Sequence, residues 1–341
     1  MSLRGAISGF GEVAAQAHLS GWRTRPGVRI VAVHDPVSER RHQALRLMPN
    51  VRVYDDLELM LDGERLDFVD IASPPAWHAS TALAALTAGA HVLIEKPLCL
   101  AADELTRLCE AASSRRRVLM CVHNWKHAAL YRVAHDLIDS GRLGEVIYVA
   151  LDRLRTAPAG LASGSGASGR WRTAASSGGG ILIDHGWHVF YLMRWLMGGI
   201  DPVSVSTLIA GFSSGIEDVA DIRVSFANGR MASSHLSWRA PIRRTRAMIY
   251  GSEAALELDG DRGLLTARSG TSTEIPASPE TDDSYHSAWF AGVAAEFEQA
   301  VSEGSESAVV VGNLAEARAA LGLLLAARES GASDGAPVKL R

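Results

Sequence analysis

The small-residue run Gly9-Phe10-Gly11-Glu12-Val13-Ala14 follows a short apolar stretch, Gly5–Ser8, and opens an amphipathic segment. No other stretch narrows the choice of fold as much. The G-x-G-x-x-A spacing makes a tight strand-to-helix turn, lets the main chain approach a pyrophosphate, and presents that charge to a helix N-terminus. Glycine-rich turns are common, so the pattern gains weight only from its place between a strand and a helix. Asp35 ends the next apolar run about two dozen residues on, where a carboxylate accepts hydrogen bonds from both adenosine ribose hydroxyls and repels a 2′-phosphate. The expectation is NAD, contacted by Gly9, Phe10, Gly11, Glu12, Val13 and Asp35. NADP is the alternative if Arg40 and Arg41, one turn further on, hold the phosphate. Capping of the next helix by Asp35, before Pro36, is compatible with either.

The same alternation continues to about residue 123. Strands are expected at Gly5–Ser8, Val28–Val33, Phe68–Ala72, His91–Ile94 and Val118–Val122, with helices such as Ser80–Ala88 and Ala101–Ser113 between them. Asp55-Asp56 supply a cap before Leu57–Leu61. This is the pattern of βαβ units around a parallel sheet. After Gly144 the texture changes to period-two runs at Val146–Leu151, Val203–Ile209, Ile222–Phe226, Met231–Trp238, Ala247–Tyr250 and Ala255–Leu258. Asn228-Gly229 is a hairpin signal, because both residues tolerate positive φ. The expected fold is an α/β N-terminal Rossmann domain over residues 1–123. An α+β domain with a large, mostly antiparallel open sheet follows over 124–341. One apolar helix, Ile181–Met197, interrupts that sheet; the Ala-rich helices Ala288–Val301 and Leu314–Arg328 have the option of packing back on the first domain. The segment Gly160–Gly169 is low in complexity and reads equally as a lid or a linker.

Two segments carry chemistry. The strand His91–Ile94 stops at Glu95-Lys96-Pro97, at the C-terminal edge of the sheet where open α/β sheets bind ligands. Pro97 restricts Lys96 to an extended backbone, and the X-Pro bond is the place for a cis peptide. A surface salt bridge at a strand end is the bland reading of the same residues. In the second segment, Gly178-Gly179-Gly180 leads into Ile181-Leu182-Ile183-Asp184-His185-Gly186-Trp187-His188. Asp184 and His188, at i and i+4, share a helix face, and an aspartate beside an imidazole fixes its orientation and raises its pKa. A satisfied structural pair is the alternative. No companion carboxylate cluster completes a metal site from Asp184, His185 and His188, so none is expected.

Composition bounds the rest. The 341 residues exceed one ordinary core, and 47% hydrophobic with 21% charged residues is the balance of a globular protein. A formal net charge of -4 gives no electrostatic case for nucleic acid or an anionic membrane. Cys99, Cys109 and Cys121 lie far apart, no signal-peptide core follows Met1, and no uninterrupted apolar run reaches membrane-spanning length, so the expected location is the cytoplasm. The strands of the second sheet keep apolar side chains on both faces, with Leu236 and Trp238 on one and Met231 on the other. That predicts a homodimer or homotetramer through the open face.

Taken together, these segments resemble the Gfo/Idh/MocA family of NAD(P)-dependent oxidoreductases, which includes glucose–fructose oxidoreductase and inositol dehydrogenases. The resemblance runs nearly end to end. It includes the Gly9–Ala14 loop, Ala72-Ser73-Pro74-Pro75 with His78, Glu95-Lys96-Pro97, and Asn124. It continues through Ser140–Val146 and Gly178–His188, which matches G-G-G-x-L-x-D-x-G-x-H. It implies hydride transfer between the nicotinamide and a secondary alcohol or ketone of a sugar or cyclitol. Lys96, Asp184 and His188 would be catalytic, and Ser73, Pro74, His78, Glu95 and Lys96 would lie along the cofactor. Asn124, Trp171 and Arg172, with the catalytic three, are candidates to face the substrate, although Trp171-Arg172, just before the glycine run, reads equally as loop packing. Two departures stand out: Tyr191 where the family often has an acidic residue three positions after the histidine, and Trp125-Lys126 in place of Arg-Phe. Both bear on the substrate more than on the reaction. The family also implies two rivals, an NAD-dependent glycosidase and a non-catalytic sugar-sensing protein; the second should have lost part of the Lys-Asp-His set, which is intact here.

Overall fold

The computed structural model describes residues 2–159, 170–174, 179–211, 215–260, 262–275 and 286–340. The expected lid or linker, Gly160–Gly169, and Gly178 lie outside the described residues. The chain forms two compact units, Met1–Asn124 with Asp283–Ala317, and Trp125–Asp282 with Arg318–Arg341.

The first unit holds six parallel strands: β1 (Leu3–Ser8), β2 (Val28–His34), β3 (Arg52–Tyr54), β4 (Phe68–Ile71), β5 (His91–Ile94) and β6 (Leu119–Cys121). Their order is β3-β2-β1-β4-β5-β6, so the winding reverses between β1 and β4. Ligands bind beyond the strand ends at such a reversal. All of β4 and most of β5 are buried, as the apolar runs require of a sheet covered on both faces. Strand β3 is too short and polar to give a periodic signal. Asp56 caps the helix Leu57–Gly63, its Oδ1 accepting Leu59 N–H at 3.0 Å. The helix Ser287–Glu303 belongs to this unit, where Phe290 and Phe297 join Trp22 and Phe68 in one aromatic cluster. The span 124–341 expected for a second domain therefore cedes 283–317 to the first unit.

Among the described residues the second unit holds nine strands: β7 (Val146–Leu154), β8 (Pro202–Ala210), β9 (Val219–Phe226), β10 (Met231–Ser237), β11 (Arg244–Gly251), β12 (Ala254–Asp259), β13 (Arg262–Ala267), β14 (Ser272–Ile275) and β15 (Val338–Lys339). Their order is β14-β13-β12-β11-β7-β10-β9-β8-β15, antiparallel throughout except where β7 lies parallel to β10. Asn228 and Gly229, at φ 67° and 77°, make the turn between β9 and β10. Burial alternates as period-two strands dictate: Ile222, Val224, Ala232 and Leu236 are buried, whereas Asp221, Arg223 and Met231 are exposed.

The apolar helix differs from expectation in one respect. Leu182–Gly186 forms a π-turn, and the regular α-helix begins only at Trp187. Asp184 and His188 are thus separated by a widened turn, a feature that recurs at functional sites. The helix Ala308–Gly331 carries Asn313, Glu316 and Arg318 and so is no uninterrupted apolar run. By length and composition it is apolar enough to cross a membrane, with a mean hydropathy of 1.6 over 18 residues. Periodic Ala and Leu produce that value, and Ala317, Ala320, Leu321, Leu323, Leu324 and Ala327 are buried in the fold.

Candidate active site

In the first unit the turn after β1 has the form its sequence requires. Gly9 adopts φ +89°, and a Cβ there would lie 2.5 Å from Ser73 N, so conformation and close approach both demand glycine. A Cβ on Gly11 would meet nothing within 4 Å, which leaves room at the loop for a ligand. Glu12 and Val13 lie partly exposed along its rim. Asp35 is fully buried, its Oδ2 accepting Phe10 N–H at 2.7 Å and its Oδ1 accepting Val37 N–H at 2.9 Å. It therefore braces the glycine loop as well as ending β2. Arg40 Nη1 lies 3.4 Å from the same carboxylate, and Arg41 donates to the carbonyls of Asp35 and Pro36. Both arginines are already committed, which weakens the 2′-phosphate alternative. Ser73 Oγ is buried without a protein partner among the described residues, beside Pro74, as a hydroxyl reserved for a ligand would be. These features fit a dinucleotide.

His78 is buried, with Nδ1 2.6 Å from Pro97 O and Nε2 2.8 Å from Ser73 O, so it ties the loop after β4 to the loop after β5. Burial pushes its pKa down, against the pull of those two carbonyls. Glu95 Oε2 accepts Lys96 N–H at 2.8 Å, and the Lys96–Pro97 peptide is cis.

Behind Glu95 stands a residue the sequence reading passed over. His18, on the π-turn Ala14–His18 that follows the glycine loop, is fully buried. Its Nδ1 lies 2.9 Å from Asp70 Oδ2 and its Nε2 3.1 Å from Glu95 Oε1, while Trp22 Nε1 donates to Asp70 at 2.7 Å. Phe290 stacks on the ring at 3.9 Å. Burial alone would lower the His18 pKa, but Asp70 and Glu95 together raise it to about 9. Glu95 in turn is held below the usual carboxylate range: burial would raise it, and the imidazolium and Lys96 outweigh that. A histidine in an alanine-rich turn just past the fingerprint is the available signal. Asn124 closes the unit's main-chain run; its Oδ1 is buried and unpartnered among the described residues.

The second unit gathers the remaining candidates. Asp184 Oδ2 accepts Arg172 Nε–H at 3.2 Å and lies 3.9 Å from His185 Nε2. Arg172 also lies over the Trp171 ring at 4.5 Å. A Cβ on Gly179 would fall 2.6 Å from Arg172 O, so the glycine is what lets the Trp171–Ala174 loop lie against the start of the helix. His188 Nδ1 is 3.1 Å from Tyr191 Oη, and that oxygen also accepts Trp125 N–H at 3.1 Å. Tyr191, the departure noted at this position, thus holds the imidazole. Arg153 on β7 is buried as well, its guanidinium 3.2 Å from the centre of the Trp125 ring. The sequence reading ended this strand at Leu151, two residues short of it. Continuing the alternation of Val149 and Leu151 would have placed Arg153 on the inner face.

Residues 3–123 match the family model described as an oxidoreductase family with an NAD-binding Rossmann fold, and residues 131–257 match the GFO/IDH/MocA C-terminal domain. The D-glucoside 3-dehydrogenase of Escherichia coli is 32% identical over 196 residues, 58% of this chain and 54% of that protein. This chain therefore spans only about half of that relative. The D-apiose dehydrogenase of Paraburkholderia graminis is 29% identical over 283 residues, 81% of this chain and 73% of that protein. Levoglucosan dehydrogenase, solved with NADH and levoglucosan, shares the fold with a TM-score of 0.85 at 19% identity, covering 100% of this chain and 99% of that one. With both domain models matched in order, and with the glycine loop, Glu95-Lys96-Pro97 and the Asp184–His188 helix in place, the chain belongs to the GFO/IDH/MocA family of oxidoreductases.

Proposed function

We propose that this protein is an NAD-dependent dehydrogenase that oxidises a secondary alcohol of a sugar or cyclitol, or reduces the matching ketone. The observation that carries the reading lies within the first unit. The glycine loop with its buried Asp35 and the Glu95-Lys96-Pro97 turn stand at the same C-terminal edge of one parallel sheet, at β1 and β5. NAD, when bound there by Gly9–Val13, Asp35, Ser73 and Pro74, supplies the hydride acceptor.

The chain's own groups do the rest. His188, whose Nδ1 is oriented by Tyr191 Oη, takes the hydroxyl proton. Lys96 hydrogen-bonds the same oxygen and stabilises the negative charge that grows on it. Asp184, paired with Arg172, orients and balances the cationic groups. Asn124, Trp171 and Arg172 contact the sugar hydroxyls. His78 fixes the two loops that frame the nicotinamide.

A two-fold homodimer or a tetramer built from it goes with this reading. The face of the second sheet opposite its buried residues carries Tyr148, Met231 and Tyr250 beside Arg223 and Glu257. Such a mixed surface suits a second copy better than bulk water. The test is NADH formation at 340 nm across a panel of sugars and cyclitols, with light scattering for assembly. No absorbance change with any of them, or a monomer at micromolar concentration, would count against the respective part.

A further inference from the structure

Arg153 is the least accommodated charge in the described structure. Only 1% of the residue is exposed, and Nε, Nη1 and Nη2 are each buried without a hydrogen-bond partner among the described residues. Its setting explains why. Across the sheet it pairs with Thr245 on β11 and Leu236 on β10, neither of them acidic. Its chain neighbour Asp152 points to the opposite face, where it accepts His235 N–H at 3.0 Å. The indole of Trp125 covers one side of the guanidinium. Besides burial, the groups acting on it are Tyr131 and Tyr191, which favour its charge, and Arg243, which opposes it; no carboxylate is among them. Burial, Arg153 and the exposed Arg243 together push the neighbouring Arg155 down to about 9, and among the described residues Arg155 donates to Leu154 O, Arg244 O and Thr245 Oγ1.

A lysine in this position could shed its proton, but a guanidinium cannot, so the charge stays. An ionised group buried with no counter-charge is costly by several kcal/mol, and proteins retain one where a ligand supplies the missing anion. The site is also close to the proposed chemistry. The Trp125 ring that covers Arg153 lies 5.7 Å from the His188 ring, and Trp125 N–H meets the same Tyr191 hydroxyl that holds His188.

We propose that Arg153 anchors a carboxylate on the substrate, so that the site takes an acidic sugar, a uronate or an aldonate, in preference to its neutral counterpart. A carboxylate suits the site because it is planar and singly charged, matching the edge of one stacked guanidinium; a phosphate brings more charge than one arginine balances. The proposal deepens the dehydrogenase reading and rests on it for the name substrate.

The test uses the NAD-loaded protein with D-glucuronate, D-galacturonate and D-gluconate against D-glucose, D-galactose, myo-inositol and D-glucose 6-phosphate. Binding is measured by calorimetry and turnover by NADH formation. At least one acid should bind and turn over tenfold or more better than every neutral compound. Arg153→Gln should erase that preference through KM, leaving NAD affinity within twofold, and Arg153→Lys should restore part of it. Equal binding of acids and neutral sugars, no binding of any acid, or glucose 6-phosphate binding as well as the acids would overturn the carboxylate assignment. So would a folded Arg153→Gln that keeps the preference. Acids that bind through Arg153 without forming NADH would uphold the assignment and sink the dehydrogenase reading instead. The acid-to-neutral ratio of the unaltered protein decides the matter even if the variants fail to fold.

Discussion

Two buried cations, one in each unit, set the two halves of this molecule apart. His18 is enclosed by Asp70, Glu95, Trp22 and Phe290, with both ring nitrogens engaged. Arg153 is as deeply buried and, among the described residues, has an indole on one side and no hydrogen-bonded carboxylate. A satisfied buried charge specifies structure: it fixes where Glu95, and hence the main chain at Lys96, must sit. An unsatisfied one has no such use, and in the proposed reading its counter-charge comes from the substrate.

The sharpest way to break this contrast is to remove each cation in turn. His18→Leu takes the imidazolium from between Asp70 and Glu95, and should cost about 3–5 kcal/mol in denaturant unfolding. If it proves neutral, the network is not holding the first unit together.

Turnover gives the next largest effect. Lys96→Ala and His188→Ala should each lower kcat by about a hundredfold, or about 2.7 kcal/mol, with NAD affinity largely kept. Near-normal turnover in His188→Ala would move the base to another group, with His185 and Lys126 the first to examine.

The pH dependence sharpens the same point. The folded pKa of His18 is raised to about 9 from 6.5, so its stabilisation is fully present below about pH 6.5 and is lost as pH rises through about 9. Unfolding midpoints should fall over that window, and the fall should shrink in His18→Gln. A profile that is flat in the parent protein would contradict the imidazolium.

Smaller effects follow. Asp35→Ser should weaken NAD by about tenfold and narrow its advantage over NADP, because the ribose hydroxyls and the Phe10 amide both lose an acceptor. Titration of both cofactors into both proteins checks this, and NADP binding more tightly than NAD to the parent would refute the assignment. The smallest change is expected at Arg153→Met. Stability should stay within about 1 kcal/mol or rise, since no partner is orphaned and a desolvated charge is removed. A loss as large as that of His18→Leu would place Arg153 among the structural charges and erase the contrast.

Much of this was legible in the sequence, for reasons that are local. Apolar runs of strand length, a glycine loop between strand and helix, and Asn228-Gly229 act over a few residues, and each arises where expected. The strands β3, β13, β14 and β15 escaped because they are short, polar or at sheet edges, where pairing rather than periodicity creates them. The π-turns at Ala14–His18 and Leu182–Gly186 escaped because no residue type encodes them.

The sequence by itself determined the two sheets and the cofactor loop, and its motifs, through their resemblance to the family, singled out Lys96, Asp184 and His188 as candidates. Those motifs are local stretches of one chain. Only the tertiary structure decided that His18 joins Asp70 to Glu95, that Tyr191 holds His188, and that Arg153 is buried without a partner. Each of these depends on residues from separate elements meeting in space: 52 and 77 positions apart for the first, and the cross-strand neighbours of β7 for the last. Whether a buried charge finds its counterpart is decided by register and packing, which no stretch of sequence contains.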